Sequence, residues 1–288
     1  MSMPCFPRRA ALAAMLAFLA TFALSASPAF AREPLSAAEL VALTGLDRAL
    51  DEVATSLAAE GQRIVDTGED VGDKEQFRMA WEQAANEAFA PGKLKESLAR
   101  RIDGKLSPAE LFKIEDFYKG KLGKAMVERE VAASSAAAQQ EMAGGAHKLM
   151  TGLMAQPKRI AALDSLAGAI RLKEVSTGIA LNMMRAVMIG MSASNASKLA
   201  MPLDVIEQQV EAHRLSAAQE LEAVTALAMA YTYRKASVAD IKAYEKFLRS
   251  PAGKRYNDAA MTGLDAVLSE GGLAFGGALA RALGHTPI

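Results

Sequence analysis

The sequence predicts an all-α protein, a duplicated helical-hairpin bundle of about ten helices behind an N-terminal leader. Three observations predict it. Ala, Leu and Met supply much of a 51% hydrophobic content while aromatic residues make up only 6%, a balance that favours helix over sheet. Serine-led helix starts recur along the chain. No stretch sustains the alternation of β-branched residues that marks a strand. The 288 residues are enough for a real apolar core. With 33 Lys+Arg against 33 Asp+Glu, the chain lacks the basic surface that a nucleic-acid binder needs. Its apolar content also excludes a disordered chain.

The first element is a leader, residues 1–31. Arg8 and Arg9 form a short basic region, and an apolar run follows from Ala10 to Leu24. Ala29 and Ala31 then supply the small residues that a signal peptidase reads. Arg8-Arg9 also offers the pair of the twin-arginine route, but the residues after it do not strengthen that reading, so the general secretion route is preferred, with cleavage after Ala31 and a periplasmic or secreted product. The only cysteine, Cys5, precedes the apolar run and would leave with the leader. The mature chain then has no thiol, so packing alone must stabilise it.

The helix starts follow in order. Ser36-Ala37-Ala38-Glu39 reads as a capping box, with Ser at N-cap and Glu at N3. Ser107-Pro108-Ala109-Glu110 adds Pro at N1, where a missing N–H costs nothing. Gln156-Pro157 marks another start, as do Ser216-Ala217-Ala218-Gln219, Ser237-Val238-Ala239-Asp240 and Ser250-Pro251. Between them the apolar residues keep helical spacing, as in Leu111, Ile114, Phe117 and Tyr118, or Ile241, Tyr244, Phe247 and Leu248.

The chain also repeats itself. A shift of 130 residues lays Ser107 on Ser237, and six positions between 107 and 128 are then identical without a gap. They are Ser107, Ala109, Glu115, Phe117, Gly123 and Lys124, matched by Ser237, Ala239, Glu245, Phe247, Gly253 and Lys254. The repeated unit is a helix, a sharp corner and a second helix. Gly120 ends the first helix of one copy, and Ser250-Pro251 starts the second helix of the other. Gly123 and Gly253 suggest that two helix backbones approach closely. Two halves are therefore expected, 32–158 and 159–288. The pairs 107–119 with 122–142 and 237–249 with 252–268 should correspond, with Phe117 and Phe247 in equivalent buried positions.

The segments Leu106-Ser107…Glu110-Leu111…Phe117-Tyr118…Gly123-Lys124 and Phe247-Leu248-Arg249-Ser250-Pro251…Gly253-Lys254 resemble the core motif of an exported bacterial family. It is catalogued as the domain of unknown function twenty fifty-nine. The resemblance implies a helical fold and an envelope location, and it transfers no catalytic residue. This chain departs from the family pattern by carrying two copies, with Gly120-Lys121-Leu122 in place of Ser-Pro in the first.

Chemistry leaves little trace. His147, His213 and His285 stand far apart, outside any metal-ligand spacing. There is no Gly-rich phosphate loop and no Gly-x-Ser-x-Gly elbow. No catalytic residue, cofactor or metal ligand is therefore assigned. Met142, His147, Met150 and Met154 have the ligand types of a copper(I) site, but Gly144-Gly145 is expected to disturb the helix that carries them. Leu181, Met184, Met188 and Met191 step along one helical face. They are either a core face or an adaptable wall for an apolar ligand. The tail from Gly271 to Leu283 is apolar and too short to span a bilayer, so it should pack against the other half.

These readings converge on an exported, non-enzymatic envelope protein that acts by binding a protein or peptide. Membrane association without a spanning helix is compatible with it, and nucleic acid is not an expected partner. Two alternatives carry specific requirements. A hydrolase would need its residues to converge in the fold, and a carrier of a lipid or small apolar molecule would need a suitable cavity.

Overall fold

The computed structural model describes residues 32–67, 73–193 and 201–284. The expected leader, with Cys5 and the cleavage position at Ala31, lies outside the described residues, as does His285. From Leu35 to Ile288 the chain forms one contact unit. Among the described residues there are thirteen helices and no strand. The first five are α1 (Ala37–Leu43), α2 (Leu46–Asp51), α3 (Val53–Asp66), α4 (Lys74–Ala88) and α5 (Pro91–Ile102). Then come α6 (Pro108–Lys119), α7 (Lys121–Ser134), α8 (Ala136–Met154), α9 (Pro157–Ala169) and α10 (Leu172–Ala193). The last three are α11 (Leu203–Thr232), α12 (Val238–Leu248) and α13 (Pro251–Gly284). The all-α class read from the sequence is the one observed.

Side-chain capping explains where several helices begin. Ser36, Ser107 and Ser237 each accept a hydrogen bond from the N3 backbone N–H, and Glu39, Glu110 and Asp240 accept one from the cap residue in return. Pro157 opens α9 at its first position. Ser216 does not start a helix. It lies inside α11, where its hydroxyl donates to the His213 carbonyl at 3.0 Å. Helix formers on both sides carry the backbone through, and a mid-helix serine satisfies itself on the preceding turn.

The corners at 120 and 250 reach one geometry by two routes. Gly120 has extended backbone (φ −71°, ψ 164°) and serves as the last cap of α6 and the first of α7. Ser250 instead uses its side chain, which donates to the Phe247 carbonyl at 2.6 Å and accepts from the Gly253 N–H at 3.2 Å. Immediately beyond each corner a glycine is required. A methyl group at Gly123 would collide with the Phe117 carbonyl, and one at Gly253 with the Phe247 carbonyl.

Three expectations need correction. The helix placed over 122–142 ends at Ser134, because Ser135 is extended and caps α8 through the Ala138 N–H. Its counterpart over 252–268 continues to Gly284. Gly144 and Gly145 do not interrupt α8, since a helix tolerates glycine at an entropic cost and nothing crowds them. Phe117 and Phe247, expected to be buried, are each only half-buried. Their rings stack on each other, with centroids 3.7 Å apart and planes 1° apart. The sealed positions are the next residues, Tyr118 and Leu248, a further ~100° round each helix.

The spine of the unit is α13, which contacts α10, α4, α5, α6 and α12. Gly190 and Gly276 let α10 and α13 touch backbone to backbone, since a Cβ on either would strike the other helix's carbonyl. The apolar tail read from the sequence is the end of this helix. Its Phe275 packs edge-on against Trp81 with centroids 4.9 Å apart, and the Phe89 ring lies over Gly271. No helix among the described residues is long and apolar enough to cross a membrane.

Candidate functional site

The chain has five tyrosines, and four of them line one cavity of about 390 Å³. That size lies within the ~300–1,000 Å³ of typical small-molecule pockets. Tyr118 comes from α6, Tyr233 from the turn after α11, Tyr244 from α12 and Tyr256 from α13. The corner at 120 folds α7 back so that Glu130 reaches the same space. Tyr118, Tyr244, Leu248, Tyr256, Leu166 and Ala260 form a buried floor. Leu46, Ser134, Leu172, Thr225, Asn257 and Met261 are half-buried and form its rim.

Polar groups inside are organised by hydrogen bonds. The Tyr233 hydroxyl donates to Glu130 Oε1 at 2.6 Å, and Tyr244 lines the same space. The Tyr256 hydroxyl donates to Thr44 Oγ1 at 2.6 Å, and the Thr44 hydroxyl in turn donates to the Leu40 carbonyl at 2.9 Å. Glu130 is half-buried, with part of its surface open to the cavity. Burial therefore pushes the carboxyl above the usual range, and the nearby Tyr233 and Tyr244 hydroxyls, which favour the ionised form, offset this only in part. Burial also pushes the phenols of Tyr118, Tyr233, Tyr244 and Tyr256 up, with the Glu130 charge acting in the same direction. They remain hydrogen-bond donors, and none is an activated nucleophile.

A second cavity, of about 400 Å³, lies between α8 and the end of α11 and has the opposite charge character. Lys148, Arg159, Arg234 and Glu141 line it, and Arg234 Nη2 lies 3.9 Å from Glu141 Oε2. The Arg234 guanidinium sits 3.5 Å above the Tyr231 ring, and the Tyr231 hydroxyl donates to Glu141.

The residues singled out in the sequence are distributed elsewhere. Ser107, Ser237, Gly123 and Gly253 build the corners, and Phe117 and Phe247 join them. Lys124 is exposed, and Lys254 pairs with Asp258 at 2.6 Å. Leu181 is buried against Ile206 and Val210 of α11, with Met184 and Met188 packed on that cluster and Met191 half-buried near α13. None of these four lines the tyrosine cavity. Met142 faces the second cavity, whereas Met150 and Met154 border a different one, so this set does not converge. Among the described residues no group of three or more His, Cys, Asp or Glu side chains is placed to hold a metal ion.

Sequence reasoning missed Glu130, Tyr233 and Tyr256, and took Tyr118 and Tyr244 for ordinary core positions. The available signal was compositional. In a chain with so few aromatics, tyrosines at positions buried by helical periodicity need hydrogen-bond partners.

Residues 92–151 match a family described as an uncharacterized protein conserved in bacteria (DUF2059). The match covers the first hairpin, including Tyr118 and Glu130. No curated protein and no solved structure matches the chain.

Proposed function

We propose that this protein is an exported bacterial envelope protein that acts by binding a small molecule in the tyrosine-lined cavity, without transforming it. One observation carries the reading: four tyrosines from four different segments converge with one carboxyl on a space of about 390 Å³. A polar lining inside an apolar wall is how binding pockets fix orientation. The order of basic, apolar and small residues over 1–31 supports export, and the match over 92–151 supports a bacterial helical domain. Two related halves, 32–158 and 159–288, are part of the same proposal. Their support is that Ser107, Phe117 and Gly123 have counterparts of like geometry in Ser237, Phe247 and Gly253.

The carrier reading thus moves from the methionine helix to a wall it does not share. The hydrolase reading lacks a partner, because no histidine, lysine or cysteine lines this cavity. The protein- or peptide-binding reading would need an apolar stripe. The large exposed apolar residues of α11 are Leu203, Leu215 and Val224. Their spacing turns about 120° and then about 180° round the helix, which gives no stripe.

Native mass spectrometry of the protein recovered from the envelope fraction tests the proposal. The expected spectrum shows a chain starting at Arg32 with a small bound mass that is absent from Ala260→Phe, a variant that fills the cavity floor. A correctly folded Ala260→Phe that retains the bound mass would overturn the cavity assignment. A recovered chain that still begins at Met1 would overturn cleavage.

A further inference from the structure

We infer that the ligand of the tyrosine cavity is an organic cation, an amine or quaternary ammonium carried on an apolar body, with Glu130 as its counter-charge. The inference rests on the cavity reading above and names the class of ligand. Glu130 is the sole charged residue among those lining the cavity. Its carboxyl accepts a hydrogen bond from the Tyr233 phenol. Arg129, its neighbour in sequence, directs its guanidinium to the Ala125 carbonyl at 2.8 Å instead. A carboxyl in this position has given up part of its water, and no cation stands among the cavity-lining residues, an arrangement that is costly when the group is ionised.

An entering ammonium supplies the missing charge. Four tyrosines also line the space, and an aromatic face attracts a cation, the more strongly the drier the site. The floor and rim residues Leu46, Leu166, Leu172, Leu248 and Met261 then accept the apolar body. An anion finds the reverse. It would face the Glu130 carboxylate with no lysine or arginine among the lining residues to offset it. A neutral ligand fills the space and leaves Glu130 as it is. The second cavity, with Lys148, Arg159 and Arg234, is a control within the same molecule, since its charge would select against the same cation.

Three probes with one body and different heads separate these outcomes: 4-phenylbutylamine, 4-phenylbutanol and 4-phenylbutyrate, titrated calorimetrically into the full mature chain at neutral pH. The amine is expected to bind at least tenfold more tightly than the alcohol, and the carboxylate not to bind. In Glu130→Gln the advantage of the amine should vanish while the alcohol binds as before. Equal binding of amine and alcohol by the unaltered protein would overturn the inference and leave the cavity reading standing. An amine advantage that survives in Glu130→Gln would also overturn it, as would tighter binding of the carboxylate. If none of the three binds, the inference fails. The native mass spectrum then decides separately whether the cavity reading falls with it.

Discussion

At the corner between α6 and α7, Gly123 passes against the Phe117 carbonyl; at the corner between α12 and α13, Gly253 does the same against Phe247. Each first helix opens with a serine capping box. Each also carries a glutamate paired one turn on, Glu115 with Lys119 at 2.5 Å and Glu245 with Arg249 at 2.7 Å. The cavity positions differ. Where the first hairpin has Tyr118 and Glu130, the second has Leu248 and Ala260; where it has Ile114 and Met126, the second has Tyr244 and Tyr256. The residues that shape the backbone are alike in the two hairpins, and those that face or flank the shared space differ in polarity. A common corner needs common sterics, whereas one cavity between two hairpins needs a single carboxyl and unlike partners for it.

The comparison breaks most decisively at the glycines. Gly123→Ala and Gly253→Ala are each expected to lose more than about 3 kcal/mol in denaturant melts, because backbone rather than a flexible side chain blocks the new methyl. Similar losses at the two sites would support equivalent corners. A loss below about 1 kcal/mol at one of them would separate the corners. Gly144→Ala, in open space on α8, should instead stabilise by about 0.5–1 kcal/mol.

Next in size is the ring pair. Half-buried Phe117→Ala and Phe247→Ala should each cost about 2 kcal/mol, below the ~3–5 of a sealed phenylalanine. Because the rings stack, the double variant should cost less than the sum of the singles by about 0.5–1.5 kcal/mol. Additive losses would show that the stack contributes nothing. Tyr256→Phe removes the hydroxyl that donates to Thr44. It should cost about 1 kcal/mol, whereas Met126→Leu at the matching position should stay within about 1.5 kcal/mol as a volume-conserving change.

The smallest effect distinguishes Glu130 from Glu245 by pH. Burial raises the Glu130 carboxyl above its ordinary 4.5. The folded state then holds a proton that the unfolded state has released, and this group costs stability as pH rises above 4.5. The groups around it are the phenols of Tyr118, Tyr233 and Tyr244, all pushed upward, and the more distant Tyr256. Arg129 bears on Tyr233 from the same helix. Glu130→Gln should therefore melt higher than the unaltered protein at neutral pH, with the gain shrinking toward pH 4.5. Glu245 is lowered by its bonds from Ser165 and Arg249. Its contribution is present above 4.5 and is lost as pH falls through its lowered value, so Glu245→Gln should melt lower at neutral pH. Thermal melts of both variants from pH 4 to 8 check the signs, and parallel profiles would contradict the opposed environments.

Local rules act within one turn of helix, so the sequence by itself determined what depends on neighbours a few residues apart. The all-α class, the capping boxes at Ser36, Ser107 and Ser237, the Pro157 start, and the need for glycine at 123 and 253 were legible in that way. Ser216 shows the limit, because a cap signature inside a strong run of helix formers yields to the helix. Ser135 shows the converse, where one extended residue splits a segment whose composition reads as continuous. The cavity belonged to neither kind of rule. Tyr118, Glu130, Tyr233, Tyr244 and Tyr256 come from segments up to 138 residues apart, and each alone reads as an ordinary helix position. Only the tertiary structure decided that they meet, because desolvation of one carboxyl by four phenols is a property of their common space and of no single helix.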